Sequence, residues 1–403
     1  MNIRQRIAAW LAPETRASTF YAPAVGFGPS LGGTVINTVL AENLSAVTAC
    51  VNAIASGLAS LPARVYRTQG EGRIEVPGHP VARLLRQPNP RQTYVDFLEW
   101  LLGSTLLNGN GLAAIEYDGR GQPVALLPIP WSAVQVVALP TGRLAFDVVS
   151  YQTPWGGSGQ PRRYLDSEVL HLKDRSDDGW LGRSRISRAP DVLGAAIGLQ
   201  TYSTAIWNNA ATPSGLLTLP SIVTPEGKRR AVEFFEGRYA GAANGKRIFW
   251  ADNGTTFTPI SVSPEDAEVL ASRRFSGEEV ARLFNCPPAI VGDLSHGTFT
   301  NSETAGRWFA QFTLAPWARK IEAEMQRSVF ADPSGATHME IDLSGIMRGD
   351  YAARWTANVA AVQAGILTAD EVREQEGFNP LPPGAKPATP AVAAPAGIGG
   401  TKS

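Results

Sequence analysis

The chain has 403 residues, 44% of them hydrophobic, with 36 basic and 36 acidic side chains and no net charge. That length supports a large buried core shared among two or three structural units. The balanced charge argues against a protein that holds nucleic acid by bulk positive charge, and the lack of any run of about 18 apolar residues argues against a membrane-spanning helix.

Two cysteines, Cys50 and Cys286, are too few for a disulfide framework. They read as small buried apolar residues of a chain made in a reducing compartment. The opening MNIRQRIAAWLAP is amphipathic, and Arg4 and Arg6 interrupt its apolar part too early for a signal peptide. A soluble protein is expected.

Residues 1–42, rich in Gly, Pro, Ser and Thr from about 13 onward, are expected to form an extended arm ordered by a neighbour. In the next segment Asn43 is the expected N-cap, and Val47, Cys50, Val51, Ile54, Leu58 and Leu61 follow helical spacing up to Pro62. HPVARLLRQPNP holds a short helix closed by prolines. A second strong helix starts at Thr93, with Asp96 in capping-box register, and stops at Asn108–Gly109. GLAAIEYD and PVALLPI read as a hairpin, followed by strands at VQVV, LAFDVVSY and EVLHLK. Helices followed by a run of strands predict an α+β class, not a doubly wound parallel sheet.

After Pro190 a helical segment of about 20 residues spans about 30 Å, and its Ala, Gly and Ser content suits close helix packing. Residues 213–262 read strand, helix, strand, strand, with the helix starting at Thr224–Pro225–Glu226. A further helix runs from Ser263 to Pro287–Pro288, with Gly277 as a weak point. The polar stretch 290–304 is a loop, and Thr300 with Glu303 is the expected capping box of a helix over about 301–330. Pro316 in its middle predicts a kink near 312–316, since proline removes a donor and clashes with the preceding turn. A strand near THMEIDL and a helix capped by Thr368 and Glu371 follow. The Pro/Ala/Gly-rich 382–403 is expected to be a disordered tail.

Enzyme motifs fail on context. Gly28–Pro29–Ser30–Leu31–Gly32 matches a nucleophile elbow in letters, but lacks the strand before it and the helix after it. No phosphate-binding loop occurs, so ATP hydrolysis is not expected of this chain. His79, His171, His296 and His338 lack a second ligand at metal spacing, and Asp177–Asp178 and Glu278–Glu279 suit solvated faces or caps. No cofactor, metal or catalytic residue is expected.

The order of SAVTACVNAIASGLASLPARVY, HPVARLLRQPNP, LLNGNGLAAIEYDGRGQPVALLPI, EVLHLK, WLGRSRISRA, NNAATPSGLLTLP, EEVARLFNCPPAIVGD, TLAPWARKIEAEMQ and GILTADEVREQEGFNPLPPG resembles the HK97-type phage portal family over about residues 40–383. The resemblance implies an α+β portal fold with an α/β wing, paired stem helices, a small α/β clip, a kinked long helix and a short helical crown. It maps 43–189 to the first part of the wing, 190–212 to a stem helix and 213–262 to the clip. The second stem helix maps to 263–290, a tunnel loop to 291–301, the kinked helix and return to the wing to 302–345, and the crown to 346–381.

It further implies a homo-oligomeric ring, usually a dodecamer, at one vertex of a virion assembled in the bacterial host cytoplasm. Its partners would be double-stranded DNA held non-specifically in the channel, the terminase large subunit, a head–tail adaptor, the major capsid protein and scaffold, with no membrane. The expected DNA-facing residues are Asp293, Leu294, Ser295, His296, Gly297, Thr298, Phe299, Thr300 and Asn301; an ordinary surface loop is the plainer alternative. Lys228, Arg229, Arg230 and Arg238, among Glu226, Glu233 and Glu236, would face the motor or adaptor; a solvated mixed-charge face is the alternative. Another connector or capsid protein, or a packaging enzyme, would compete with the portal reading.

Overall fold

The computed structural model describes residues 19–21, 30–148 apart from 31, 34 and 71, 161–209, 215–218, 224–226, 229, 256–259, 265–292, 299–330, 332, 334–343 and 351–379 apart from 377. The chain divides into two units, Met1–Met347 and Arg348–Ser403.

The core of the first unit begins with two helices, α2 (Ser45–Ala59) and α4 (Tyr94–Asn108). Thr93 starts α4 as expected: its hydroxyl accepts from the Asp96 amide at 3.2 Å and the Asp96 carboxylate accepts from the Thr93 amide at 3.0 Å. Phe97, Leu98, Leu101 and Leu102 recur at helical spacing and are buried together with Val47, Cys50, Ile54 and Leu58 of α2. At its far end α4 closes on Gly109, whose φ of 82° is open to glycine at little cost.

The start of α2 departs from expectation. A short helix, α1 (Thr38–Glu42), precedes it, capped by the Asn37 side chain, which accepts from the Leu40 amide at 2.8 Å. Asn43 is therefore the C-cap of α1, and Leu44 stands at the N-cap of α2 without a side-chain bond. Burial explains the exchange: Leu44 and Ile36 both enter the core, which outweighs the contribution of a polar cap. The expected arm is thus part of the fold from Ile36 on. Further back, β1 (Thr19–Tyr21) pairs antiparallel with Val136–Ala138, and buried Ser30 lies against Gly194.

Every strand pair described is antiparallel. The expected hairpin is β4 (Asn110–Tyr117) with β5 (Pro123–Ile129), and β9 (Val169–Lys173) lies on the other side of β4. β6 (Val134–Ala138), β7 (Leu144–Val148) and β8 (Arg162–Leu165) form a second sheet, with β1 on its edge. The third sheet places β2 (Ala63–Gln69) between β3 (Gly72–Glu75) and β12 (Thr337–Ile341), joining chain segments far apart in sequence. β2 and β3 carry a weak period-two signal because Val65 is their only buried side chain.

The same unit holds α3 (Pro80–Leu84), α5 (Arg185–Arg188) and two 20-residue helices, α6 (Pro190–Asn209) and α7 (Glu265–Phe284), which pack on each other. The α7 helix continues through Gly277 without a break. β10 (Gly215–Thr218) and β11 (Thr256–Pro259) pair between them in sequence. A helical run then covers 299–330: α8 (Phe299–Trp308), a π turn (Phe309–Leu314), α9 (Ala315–Met325) and a second π turn (Gln326–Phe330). The second unit holds α10 (Tyr351–Gln363) and α11 (Ala369–Gln375). Thr368 and Glu371 make the expected capping box there, with bonds of 2.7 and 3.2 Å.

The described histidines have structural partners. His79 caps α3 by accepting from the Val81 amide at 3.2 Å and stacks on Phe330. His171 is buried in β9 between Trp131 and Phe146, with Nε2 2.9 Å from the Asn110 side-chain oxygen. That oxygen only accepts, so Nε2 carries the proton. Burial first, then Lys173 and Arg327, lowers the His171 pKa from 6.5 to about 3. Below pH 6.5 the unfolded chain binds a proton that the folded chain refuses, so stability present above that pH is lost as pH falls towards 3. The denaturation midpoint should therefore drop between about pH 7 and pH 5, and drop less in His171→Gln; equal slopes would refute the assignment.

Candidate functional site

The segment expected to face DNA hangs between the end of α7 and the start of α8, so its position depends on how those ends are held. Helix α7 stops with Asn285 in the left-handed region, at φ 59°. The Cys286 amide reaches back to the Ala281 carbonyl at 2.8 Å, the six-to-one bond of a Schellman ending. Phe284 and Cys286 anchor this turn in the core, where the Cys286 sulfur lies 4.0 Å from the Cys50 carbonyl oxygen. Pro287 and Pro288 then prevent helix continuation, and the turn through Val291 and Gly292 leads out.

Arg185 secures the α7 terminus. Its Nη1 donates to the Phe284 carbonyl at 2.7 Å, its Nε donates to Asp174 at 2.9 Å, and its guanidinium lies 5.5 Å from the Trp317 ring centre. A cation at the last carbonyls of a helix meets both unpaired acceptors and the negative end of the dipole. Asp174 is 7% exposed, so its charge is paired out of water rather than on a screened surface. Asp174, Arg185 and Lys320 line a cavity of about 160 Å³, and Lys320 donates to the Lys173 carbonyl at 3.2 Å. Its pKa is lowered by burial first, with Asp174 acting in the opposite direction.

Arg185 is in turn placed by the junction of α4 with β4. The Asn110 amide donates to the Gly182 carbonyl at 2.8 Å and its oxygen accepts from the Gly182 amide at 2.9 Å. Asp174 donates its amide to the Gly109 carbonyl at 2.9 Å, and the Ser184 hydroxyl donates to the Leu107 carbonyl at 2.5 Å. Ser184 also caps α5, which carries Arg185.

Of the expected channel residues, 293–298 lie outside the described residues. Phe299, Thr300 and Asn301 form the first turn of α8, so they are helical rather than loop, and Thr300 is not the N-cap. The helix starts at Phe299, two residues before the first helical position that the Thr300–Glu303 spacing suggests. Pro316 occupies the second position of α9, directly after the π turn, where the Ala315 amide bonds the Ala310 carbonyl five residues back. Lys228, Arg230 and Arg238 lie outside the described residues; Arg229 is helical and exposed.

The supporting residues Asn110, Asp174, Arg185 and Asn285 escaped the sequence reading. An Asn at the end of a helical pattern is a usable αL signal, whereas the Asp174–Arg185 pairing has no local signature. The expected solvated acids find arginines: Asp177 accepts from Arg183 and Arg188. Among the described residues no cluster of three metal-ligating side chains occurs, and no helix is long and apolar enough to cross a membrane.

A profile described as phage portal protein matches residues 45–377. The portal protein of Enterobacteria phage HK97 is 30% identical over 391 residues, covering 94% of this chain and 90% of that one. A chain from the virion of a native gene transfer agent particle superposes with a TM-score of 0.61 at 23% identity, covering 94% of this chain and all of the other. A chain from the neck of a native gene transfer agent particle, solved with C12 symmetry, gives a TM-score of 0.57 at 21% identity over 94% of this chain.

The Arg185 arrangement carries a stability prediction. Arg185→Ala strands the Asp174 carboxylate in a dry site and should cost about 3 kcal/mol in urea denaturation. Arg185→Lys should recover little, because an ammonium cannot reach Asp174 and the Phe284 carbonyl with one planar fork. Full recovery by lysine would show that charge alone matters.

Proposed function

The chain belongs to the phage portal protein family, and on that premise we propose that it forms a ring at one capsid vertex, the channel through which a genome is packaged and ejected. The observation that carries this reading is a family match that runs from the first core helix to the last described one, over a fold with two long packed helices and a strand pair between them. The twelvefold symmetry of the gene transfer agent neck supports a dodecamer. A closed ring needs two different, complementary faces on each subunit, and the small residues of α6 suit crowded packing there.

In this reading α6 and α7 are the stem, 213–262 the clip, and 293–298 with the first turn of α8 the constriction around DNA. Zero net charge supports a conduit that lets DNA slide rather than one that grips phosphates. The chain then acts without chemistry of its own: the terminase large subunit supplies the force, a head–tail adaptor takes its place at the clip, and the capsid protein and scaffold surround the wing. Assembly takes place in the host cytoplasm and the ring ends in the virion.

Cryo-EM of the assembled protein should show a ring with an open bore and residues 293–301 projecting into it. A map that puts this segment on the outer surface would remove the constriction role. Reversing charge at Arg229 and Arg230 should reduce DNA packaging and adaptor binding without affecting ring formation; unaltered packaging and adaptor binding would return that helix to a merely solvated face.

A further inference from the structure

Pro316 has no amide proton, so the Phe312 carbonyl four residues earlier is denied its ordinary helical donor. The structure supplies one from elsewhere: the Asn285 Nδ2 group donates to the Phe312 carbonyl at 2.8 Å. One residue on, the hydroxyl of buried Thr313 donates to the Asn285 carbonyl. Among the described residues Asn285 is the one non-glycine with positive φ. Asparagine tolerates that region, so the residue can end α7 and turn its amide towards the π turn at once.

We propose that Asn285 is the clamp that fixes the base of the 286–311 excursion, and so the position of the segment that faces the bore. This rests on the portal reading for its functional half. The clamp joins the chain at the end of α7, before that segment, to the π turn that follows α8, beyond it. Its location follows from Pro316: with an amide proton at that position the Phe312 carbonyl would already have a helical partner, leaving only its second lone pair for Asn285. A positional shift at either end would otherwise pass along the chain to residues 293–298, through the turn after Asn285 on one side and through α8 on the other.

The test is a rescue cycle on the full-length protein. Asn285→Gly retains the left-handed turn, which glycine adopts freely, and removes only the amide. Hydrogen exchange of amides in 299–316 should accelerate at least about fivefold, as expected for one lost hydrogen bond, with β4 and β9 unchanged. Pro316→Ala restores an amide proton for Phe312, so in that background Asn285→Gly should accelerate exchange far less. Equal acceleration in both backgrounds, or none in either, overturns the clamp.

For the functional half, particles assembled with Asn285→Gly should retain DNA less often, and Asn285→Gly/Pro316→Ala should restore retention. Accelerated exchange with undiminished DNA retention overturns the positioning role. Should the wild-type chain form no ring, the portal reading fails, while the exchange cycle still decides the clamp.

Discussion

Where helix α4 ends and the loop after β9 turns back, two backbones meet so closely that neither can carry a side chain. A Cβ at Gly182 would sit 1.9 Å from the Gly109 carbonyl oxygen, and one at Gly109 would sit 2.5 Å from the Ser184 amide. Asn110 bonds both polar groups of Gly182, and Asp174 and Ser184 bond carbonyls at the helix end. A buried polar node of this kind is strong only when each member is satisfied, and here these donors and acceptors meet in pairs. Everything downstream inherits its position, because Asp174 and Arg185 reach the end of α7 from this one junction.

From that junction a chain of contacts runs to the proposed bore. Arg185 holds the last carbonyl of α7, Asn285 closes the helix and meets the π turn, and the Trp317 ring of α9 lies beside the Arg185 guanidinium. The core side of this chain is apolar and buried, with Phe284, Leu314 and Trp317 in one cluster with α2 and α4. The outer side is exposed: the Trp308 and Phe312 rings lie tilted against each other at 5.5 Å with much of their surface in solvent. The pairing of β12 with β2 closes the same unit, bringing the chain back after the helical run to the sheet where it began.

Much of this architecture is local and was legible. The Thr93–Asp96 and Thr368–Glu371 boxes, the Gly109 stop, the β4–β5 hairpin and the two long helices each follow from spacing within a dozen residues, because capping and periodicity are short-range effects. Asn43 misled for the same reason: as a local signal it is a good cap, and only the burial of Ile36 and Leu44 against distant helices moved the boundary. Strand β2 stayed hidden because its partner β12 lies far along the chain and its own alternation is faint.

The sequence alone determined the α+β class, the family resemblance, the absence of net charge and the proline that interrupts the long helical run. The tertiary structure decided what that proline means. Pro316 announces a missing donor, but which group answers the Phe312 carbonyl depends on where the end of α7 arrives. That, in turn, depends on Arg185, on Asp174 and on two glycines in contact. Hydrogen bonds between segments remote in sequence leave no period to read, so the supports of the site became visible only once the chain had folded around them.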